Sequence, residues 1–85
     1  MQLRMRYFAG LRESLGVSSE QFTAPGTVRT VDDVVVALRQ RGGNWAEALA
    51  DASAFRVAVD QRMCALSSPV HEGIELALFP PVTGG

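Results

Sequence analysis

The sequence contains no lysine and a single cysteine, Cys64. One cysteine excludes an internal disulfide and leaves a zinc ion without its usual set of thiolates, so we expect a reducing compartment, the cytoplasm. No apolar run approaches the ~20 residues of a membrane-spanning helix. The opening segment MQLRMRYF alternates instead of forming the apolar centre of a signal peptide, and we therefore predict no membrane partner.

Excess positive charge is also missing. All eight cationic residues are arginines, and the net charge is -1, which argues against nucleic acid as a partner. The 85 residues, 47% of them apolar, indicate one small globular domain. Such a domain buries only about 60–65% of its unfolded surface and has little room for a deep active site. We therefore expect the function to lie on a surface or at an end of the chain.

Alternation of apolar and polar residues predicts five strands, at residues 2–8, 19–24, 55–60, 62–66 and 74–79. In the first strand Leu3, Met5 and Tyr7 share one face, and Phe8 continues the polar face. In the fourth, Cys64 points to the core as a small hydrophobic residue and not as a nucleophile. His71 lies in the following turn with no neighbours at metal-ligand spacing, so no metal site is predicted.

The strongest helical pattern follows Thr30. Thr30 and Asp33 have the spacing of a capping box, and an apolar stripe follows at helical spacing, formed by Val31, Val34, Val35 and Leu38. Gly42 and Gly43 end this helix. A second short helix is predicted with Asn44 as its cap and Trp45 over the core, and residues 9–16 are predicted to form a turn or one short helix.

The order of these elements predicts an α+β fold of the β-grasp, or ubiquitin-like, layout. One main helix packs on one face of a mixed sheet of about five strands, and the first and last strands are parallel neighbours in its centre. The domain spans residues 1–79, and residues 80–85 form an extended tail. On the sheet face away from the helix, Phe8, Met63 and Phe79 are predicted to form an apolar patch bordered by arginine and glutamate, which is typical of a protein-binding surface.

The tail has the sequence PPVTGG. Pro80 and Pro81 cannot continue a paired strand and stiffen the chain that leaves the domain. Gly84 and Gly85 lack a Cβ, so their backbone can enter a channel too narrow for side chains. The carboxylate of Gly85 could then be activated by attack on the α-phosphate of ATP, which gives a reactive acyl-adenylate.

Three segments, YFAGLRE, DQRM and SSPVHEGIELALFPPVTGG, resemble the small subunits of molybdopterin synthase, which are sulfur carriers with a ubiquitin-like fold. The resemblance implies that a ubiquitin-activating-type adenylyltransferase activates Gly85 with MgATP and that a sulfur donor protein converts it to a thiocarboxylate. The large subunit of molybdopterin synthase then receives the tail, and the sulfur passes to cyclic pyranopterin monophosphate to form the molybdopterin dithiolene. The resemblance further implies that the chain itself binds no cofactor and catalyses nothing alone, and the expected assembly is a heterotetramer.

The resemblance also implies roles for individual residues. Gly84 allows passage through the channel, Val82 and Thr83 contact its walls, and Phe8, Met63 and Phe79 dock the domain. Three alternatives stay open: a sulfur carrier for thiazole or cysteine synthesis, a protein modifier attached to lysines as ubiquitin is, and a structural adaptor without chemistry.

Overall fold

The computed structural model describes residues 1–81, and Val82 to Gly85, predicted to form the end of the tail, lie outside the described residues. Five strands, three α-helices and one 3₁₀ turn follow each other along the chain. They are β1 (Gln2–Tyr7), α1 (Ala9–Leu15), β2 (Ser19–Thr23), α2 (Val31–Arg39), α3 (Gly43–Ala48), the 3₁₀ turn (Ala52–Ala54), β3 (Arg56–Val59), β4 (Arg62–Cys64) and β5 (Glu75–Phe79). The predicted element order is confirmed, with strand ends shifted by one or two residues.

The strands form one mixed sheet in the order β2-β1-β5-β3-β4. β1 and β5 pair in parallel, with Arg4 opposite Glu75 and Tyr7 opposite Leu78, and every other pair of neighbours is antiparallel. The prediction that the first and last strands are parallel neighbours in the centre is therefore confirmed.

The core lies between the inner sheet face and α2. The predicted apolar stripe of the helix is fully buried, and it faces equally buried side chains of the two central strands, namely Leu3, Met5, Leu76 and Leu78. Each fully buried aliphatic side chain contributes about 1.5–3 kcal/mol to folding. Of the helices in residues 1–81, none is long and apolar enough to cross a membrane.

The start of α2 confirms the predicted capping box. The backbone N–H of Asp33 donates to Thr30 Oγ1 (3.2 Å), and the backbone N–H of Thr30 donates to Asp33 Oδ2 (3.0 Å). A further backbone N–H, from Arg29, reaches the same carboxylate at 2.8 Å. These backbone donors lower the pKa of Asp33 from its ordinary value, with the Arg29 N–H as the largest cause.

The prediction that Asn44 caps α3 is wrong. The helix begins at Gly43, and its cap is the backbone carbonyl of Gly42, which accepts hydrogen bonds from the N–H groups of Trp45 (3.1 Å) and Ala46 (3.3 Å). Both glycines have positive φ, 77° and 53°. Because glycine adopts this conformation at little cost, the chain reverses and re-enters a helix without a side-chain cap.

Candidate functional site

The sheet face away from the helices, here called the outer face, carries the predicted docking residues. Alternation along β5 buries Leu76 and Leu78 and turns Glu75, Ala77 and Phe79 to the outer face. The same alternation in β1 turns Arg4 and Arg6 outward, next to β5. The outer face therefore mixes charged and apolar side chains in its central strands, as the sequence predicted.

Phe8 and Phe79 are neighbours on this face. Tyr7 lies opposite Leu78 in the parallel pair, and the backbone of Phe8 stays extended and donates its N–H to the Leu78 carbonyl at 3.1 Å. One further step in this register places Phe8 beside Phe79. Phe8 is 40% exposed, whereas Phe79 is half-buried.

Met63 lies farther from the two phenylalanines than the sequence suggested. It pairs with Ala58 of β3, which in turn pairs with Ala77 of β5. At ~4.8 Å per strand and ~3.4 Å per residue, the Cα of Met63 is about 12 Å from that of Phe79. Met63, 63% exposed, therefore forms the far side of the patch.

Two alanines form the floor of the patch between these larger side chains. Ala58 and Ala77 face each other across β3 and β5, and Ala58 is only 7% exposed although it lies on the outer face. The alternation of their strands predicts an outward position for both alanines, but the patch predicted from the sequence did not include them. The detectable signal is a pair of small residues at outward positions of strands that are predicted neighbours. The apolar patch is hereafter Phe8, Ala58, Met63, Ala77 and Phe79.

Arg6 connects this patch to the charged part of the outer face. Its Nη1 donates to Glu75 Oε1 at 3.1 Å, and its guanidinium carbon lies 5.2 Å from the centre of the Phe8 ring. The side chain of Arg6 remains 42% exposed and that of Glu75 22%. The guanidinium lies over the aromatic ring within the distance of a favourable cation–π contact. We call Arg6, Glu75 and Phe8 the outer group.

The backbone holds Phe8 at the junction of β1 and α1. The Phe8 carbonyl accepts from the N–H groups of Leu11 (3.1 Å) and Arg12 (3.3 Å), and Ala9, the first residue of α1, has φ +50°. Left-handed backbone is strained for a residue with a Cβ. Strain at Ala9 thus accompanies the sharp turn that leaves the Phe8 ring on the outer face.

The tail begins beside this patch. β5 ends at Phe79, and the half-buried Pro80 and Pro81 follow immediately, as expected of residues that cannot continue a ladder. The predicted tail contacts of Val82 and Thr83, and the chemistry assigned to Gly84 and Gly85, fall outside the described residues. The described start of the tail, Pro80 and Pro81, directly follows Phe79 and therefore adjoins the apolar patch.

A second group of charged and aromatic side chains lies on the inner face, and the sequence did not reveal it. Arg41 donates from both Nη atoms to the two carboxylate oxygens of Glu20, each at 2.8 Å, and the Tyr7 hydroxyl donates to Glu20 Oε2 at 2.8 Å. The Arg41 guanidinium carbon lies 4.3 Å from the Trp45 ring centre and 5.5 Å from that of Phe22. We call Tyr7, Glu20, Phe22, Arg41 and Trp45 the inner group.

The inner group shifts three acid–base equilibria. The hydrogen bonds from Arg41 are the main reason that the pKa of Glu20 is lowered, and the same contact raises the pKa of Arg41. Burial raises the pKa of the Tyr7 hydroxyl, and its hydrogen bond to Glu20 adds to the effect. Glu20 therefore stays a carboxylate and the Tyr7 hydroxyl stays a hydrogen-bond donor. The rings of Tyr7 and Trp45 meet edge to face, with their centres 5.3 Å apart. This group closes one end of the core.

The remaining candidate side chains, Cys64 and His71, lie apart from both groups. Cys64 packs against the core as predicted but is half-buried instead of buried, and His71 is exposed as predicted. Within residues 1–81 no three His, Cys, Asp or Glu side chains are grouped so that they could hold a metal ion. An open cleft of about 500 Å³ between α1 and α3, lined by Glu13, Ser14, Asn44, Glu47 and Ala48, lies away from the outer face.

The chain is similar over nearly its whole length to one class of known proteins. Residues 5–85 match the model of the ThiS family. The chain is 40% identical over 83 residues to the molybdopterin synthase sulfur carrier subunit of Haemophilus influenzae and 32% identical to that of Escherichia coli. Each alignment covers 98% of this chain and 99% of the relative. The chain therefore belongs to the ThiS family.

Solved structures confirm the β-grasp fold. A Pyrococcus furiosus protein assigned as subunit 1 of molybdopterin converting factor is 25% identical with a TM-score of 0.79, over 96% of this chain and 99% of that one. The small archaeal modifier protein 1 of Haloferax volcanii is 27% identical with a TM-score of 0.68, over 95% and 98%. A complex of subunits 1 and 2 of molybdopterin-converting factor from Helicobacter pylori, 21% identical with a TM-score of 0.67 over the whole of both chains, shows the same fold.

Proposed function

We propose that this chain is the sulfur-carrier subunit of molybdopterin synthase. The observation that carries the proposal is the 40% identity to a curated subunit of that name over nearly the full length of both proteins. The structure supports it through the apolar patch, which lies where the chain leaves β5 towards the Gly-Gly tail. A sulfur carrier needs both a surface that binds its partner proteins and a tail that reaches the partner's reacting centre.

The chemistry proposed for Gly85 proceeds by acyl activation. A carboxylate oxygen attacks the α-phosphate of ATP, pyrophosphate leaves, and the resulting acyl-adenylate is attacked by sulfur at the oxidation level of sulfide, which expels AMP. The product is a terminal thiocarboxylate, an anionic sulfur nucleophile. Transfer of that sulfur to cyclic pyranopterin monophosphate and hydrolysis of the acyl group return the carboxylate, and two such cycles supply the dithiolene.

The partner proteins provide the catalysis in this scheme. The chain supplies a tethered nucleophile at high effective concentration, and an adenylyltransferase with MgATP, a sulfur donor protein and the large synthase subunit act on it in turn. Docking of the apolar patch would position Pro80 and Pro81 at the mouth of the partner's channel, with Val82 and Thr83 against its walls. Gly84 and Gly85 would then pass to the reacting centre.

The first test is the intact mass of the protein after incubation with MgATP, a sulfur donor and the activating enzyme of the same genome. Replacement of one carboxylate oxygen by sulfur is expected to add about 16 Da. The matched control is a variant without Gly85, which keeps every described residue and should gain no mass. An unchanged mass of the intact chain with a competent activating enzyme would overturn the proposed function.

A protein modifier is the second candidate, because a solved structure with 27% identity is named as a small archaeal modifier protein. A modifier would give conjugates to target lysines that survive reductant in cell extracts, whereas a carrier gives a thiocarboxylate that hydrolyses. A carrier for thiazole or cysteine synthesis would also exchange one oxygen for sulfur and gain about 16 Da, but it would not deliver sulfur to the pterin. Incubation of the thiocarboxylate form with the large subunit and cyclic pyranopterin monophosphate separates these cases.

A further inference from the structure

The charges of the protein are unevenly distributed between the two sides of the sheet. The chain as a whole has a net charge of -1. The outward positions of the strands carry three arginines, Arg4, Arg6 and Arg56, and one acid, Glu75. The outer face is therefore positive in a protein that is slightly negative overall, and this asymmetry concerns the same face as the apolar patch.

The arginines border the patch on two sides. On β1, Arg6 lies opposite Ala77 of β5 and covers one face of Phe8. On β3, Arg56 lies opposite Phe79 of β5. The apolar side chains thus have a guanidinium at each flank. Apolar centres with charged borders are the usual composition of protein–protein interfaces.

The guanidinium groups on this face keep much of their hydrogen-bonding capacity. Within residues 1–81, Arg6 makes one contact to a carboxylate through Nη1, and Arg56 donates one bond, from Nη1 to the neighbouring Phe55 carbonyl at 3.2 Å. Neither forms the two-pronged pair that Arg41 forms with Glu20. A planar guanidinium pairs best with a carboxylate that accepts two parallel hydrogen bonds.

We propose that the partner surface that receives the outer face has an apolar centre bordered by carboxylates, and that Arg6 and Arg56 bind those carboxylates. This inference rests on the proposed function, since it describes the surface of the large subunit that the carrier would meet. Opposite charges at the border accelerate the encounter and fix its orientation, while the apolar patch supplies most of the affinity.

The experiment measures the association rate of the full chain with the large subunit from the same genome, at low and high ionic strength. Arg56→Gln removes one charge from the border of the patch. Arg29→Gln, the matched control, removes one charge from the loop before α2, on the helical side of the sheet. A triple variant, Arg4→Gln with Arg6→Gln and Arg56→Gln, tests the whole face, and thermal melting verifies that each variant is folded.

At low salt we expect Arg56→Gln to slow association about threefold and the triple variant about tenfold or more, with Arg56→Glu slower than Arg56→Gln. Arg29→Gln should stay within about 1.5-fold of the unmodified chain. At about 0.5 M salt, where the Debye length falls to a few ångströms, the differences should nearly vanish.

Two results would overturn the inference. One is an association rate of the triple variant equal to that of the unmodified chain at low salt. The other is an equal loss in Arg29→Gln, which would show that only net charge matters. In both cases the proposed function survives if Phe79→Asp still weakens binding. If the unmodified chain does not bind the large subunit, the proposed function itself fails.

Discussion

The inner and outer groups use the same three kinds of side chain in different surroundings. Each places an arginine between a carboxylate and an aromatic ring, Arg41 with Glu20 and Trp45 in one, Arg6 with Glu75 and Phe8 in the other. The Arg41 pair is two-pronged at 2.8 Å, and the Arg6 pair has one contact at 3.1 Å. Arg41 also contacts a second aromatic ring, that of Phe22, and the Tyr7 hydroxyl donates a further hydrogen bond to Glu20.

The difference shows how the number of contacts within the domain divides the work between two similar groups. The inner group joins β1, β2, α3 and the residues after α2, and its hydrogen bonds are satisfied within the domain. The two glutamate side chains are equally exposed, at 22%, but the arginine of the outer group makes one contact to its carboxylate and Phe8 is 40% exposed. We therefore expect changes in the inner group to alter stability and changes in the outer group to alter binding.

The largest effect on stability is expected from Arg41→Ala. The substitution leaves the Glu20 carboxylate, whose side chain is 22% exposed, without its bidentate partner and uncovers Trp45. We expect a loss of about 2 kcal/mol in the free energy of unfolding, measured by urea denaturation at neutral pH, because two charge-assisted hydrogen bonds and two aromatic contacts are lost together. The matched variant Arg6→Ala removes a single hydrogen bond to a carboxylate and should lose at most about 0.5 kcal/mol. Equal losses in the two variants would contradict the comparison.

Phe8→Asp tests the other half of the comparison. Phe8 is 40% exposed, so the substitution should change the free energy of unfolding by less than about 1 kcal/mol. Affinity for the large subunit, measured by calorimetry, should fall about 30-fold, since a charge would enter an apolar contact. Gln21→Asp, an exposed position on β2 of the same face, serves as the control and should bind normally. Unchanged affinity of Phe8→Asp would move the docking surface elsewhere.

Glu20→Gln should reveal the ion pair through its pH dependence. The pKa of Glu20 is lowered in the folded protein, so its stabilisation is complete above the ordinary carboxyl pKa of 4.5 and is lost as the pH falls through the lower, folded value. At pH 7 the variant should be about 1 kcal/mol less stable than the unmodified protein. Denaturant titrations should show this gap closing below about pH 4. If the difference in stability between the two proteins stayed the same down to pH 2, about two units below the ordinary carboxyl pKa, an ionised Glu20 would not be its cause.

The smallest expected effect concerns the backbone next to Phe8. Ala9 has φ +50°, so Ala9→Gly removes about 1 kcal/mol of strain from the folded protein. The glycine also gives the unfolded chain more conformational entropy, which makes folding more costly by a similar amount. The free energy of unfolding should change by less than about 0.5 kcal/mol. Ala9→Val, with a branched Cβ, should instead lose about 1 kcal/mol. Thermal melts of the two variants measure this difference. Equal stability of Ala9→Gly and Ala9→Val would show that the backbone at this turn adjusts to either side chain without strain.

The features that sequence reasoning predicted depend on residues close together in the chain or on strand alternation. The capping box of Thr30 and Asp33 spans three residues, and period-two alternation was enough to place Leu76 and Phe79 on opposite faces of β5. The outward positions of Phe8, Met63 and Phe79 were predicted in the same way, whereas their role in docking stays a prediction. The parallel pairing of β1 with β5 followed from element order.

The features that were missed depend on contacts between distant residues or on backbone conformation. The inner group draws on β1, β2, α3 and the segment between α2 and α3, so no local pattern marks it. Asn44 is a better side-chain cap than glycine, but the positive φ of Gly42 and Gly43 starts α3 earlier. Ala58 and Ala77 became recognisable as the floor of the patch only when the strand register was known.

The central position of β5 has a consequence for biosynthesis. β1 and β2 can pair soon after they are made, and β3 can pair with β4, but only β5 joins these two hairpins. It is also the last strand to leave the ribosome, and its pairing with β1 closes a loop of about 70 residues, an entropically slow step. The apolar patch draws on β3, β4, β5 and the residue that follows β1, so it is complete only when that step has occurred. We therefore expect a half-made chain to present separate parts of the patch, Phe8 or the β3–β4 pair, and not the continuous surface that a partner would bind.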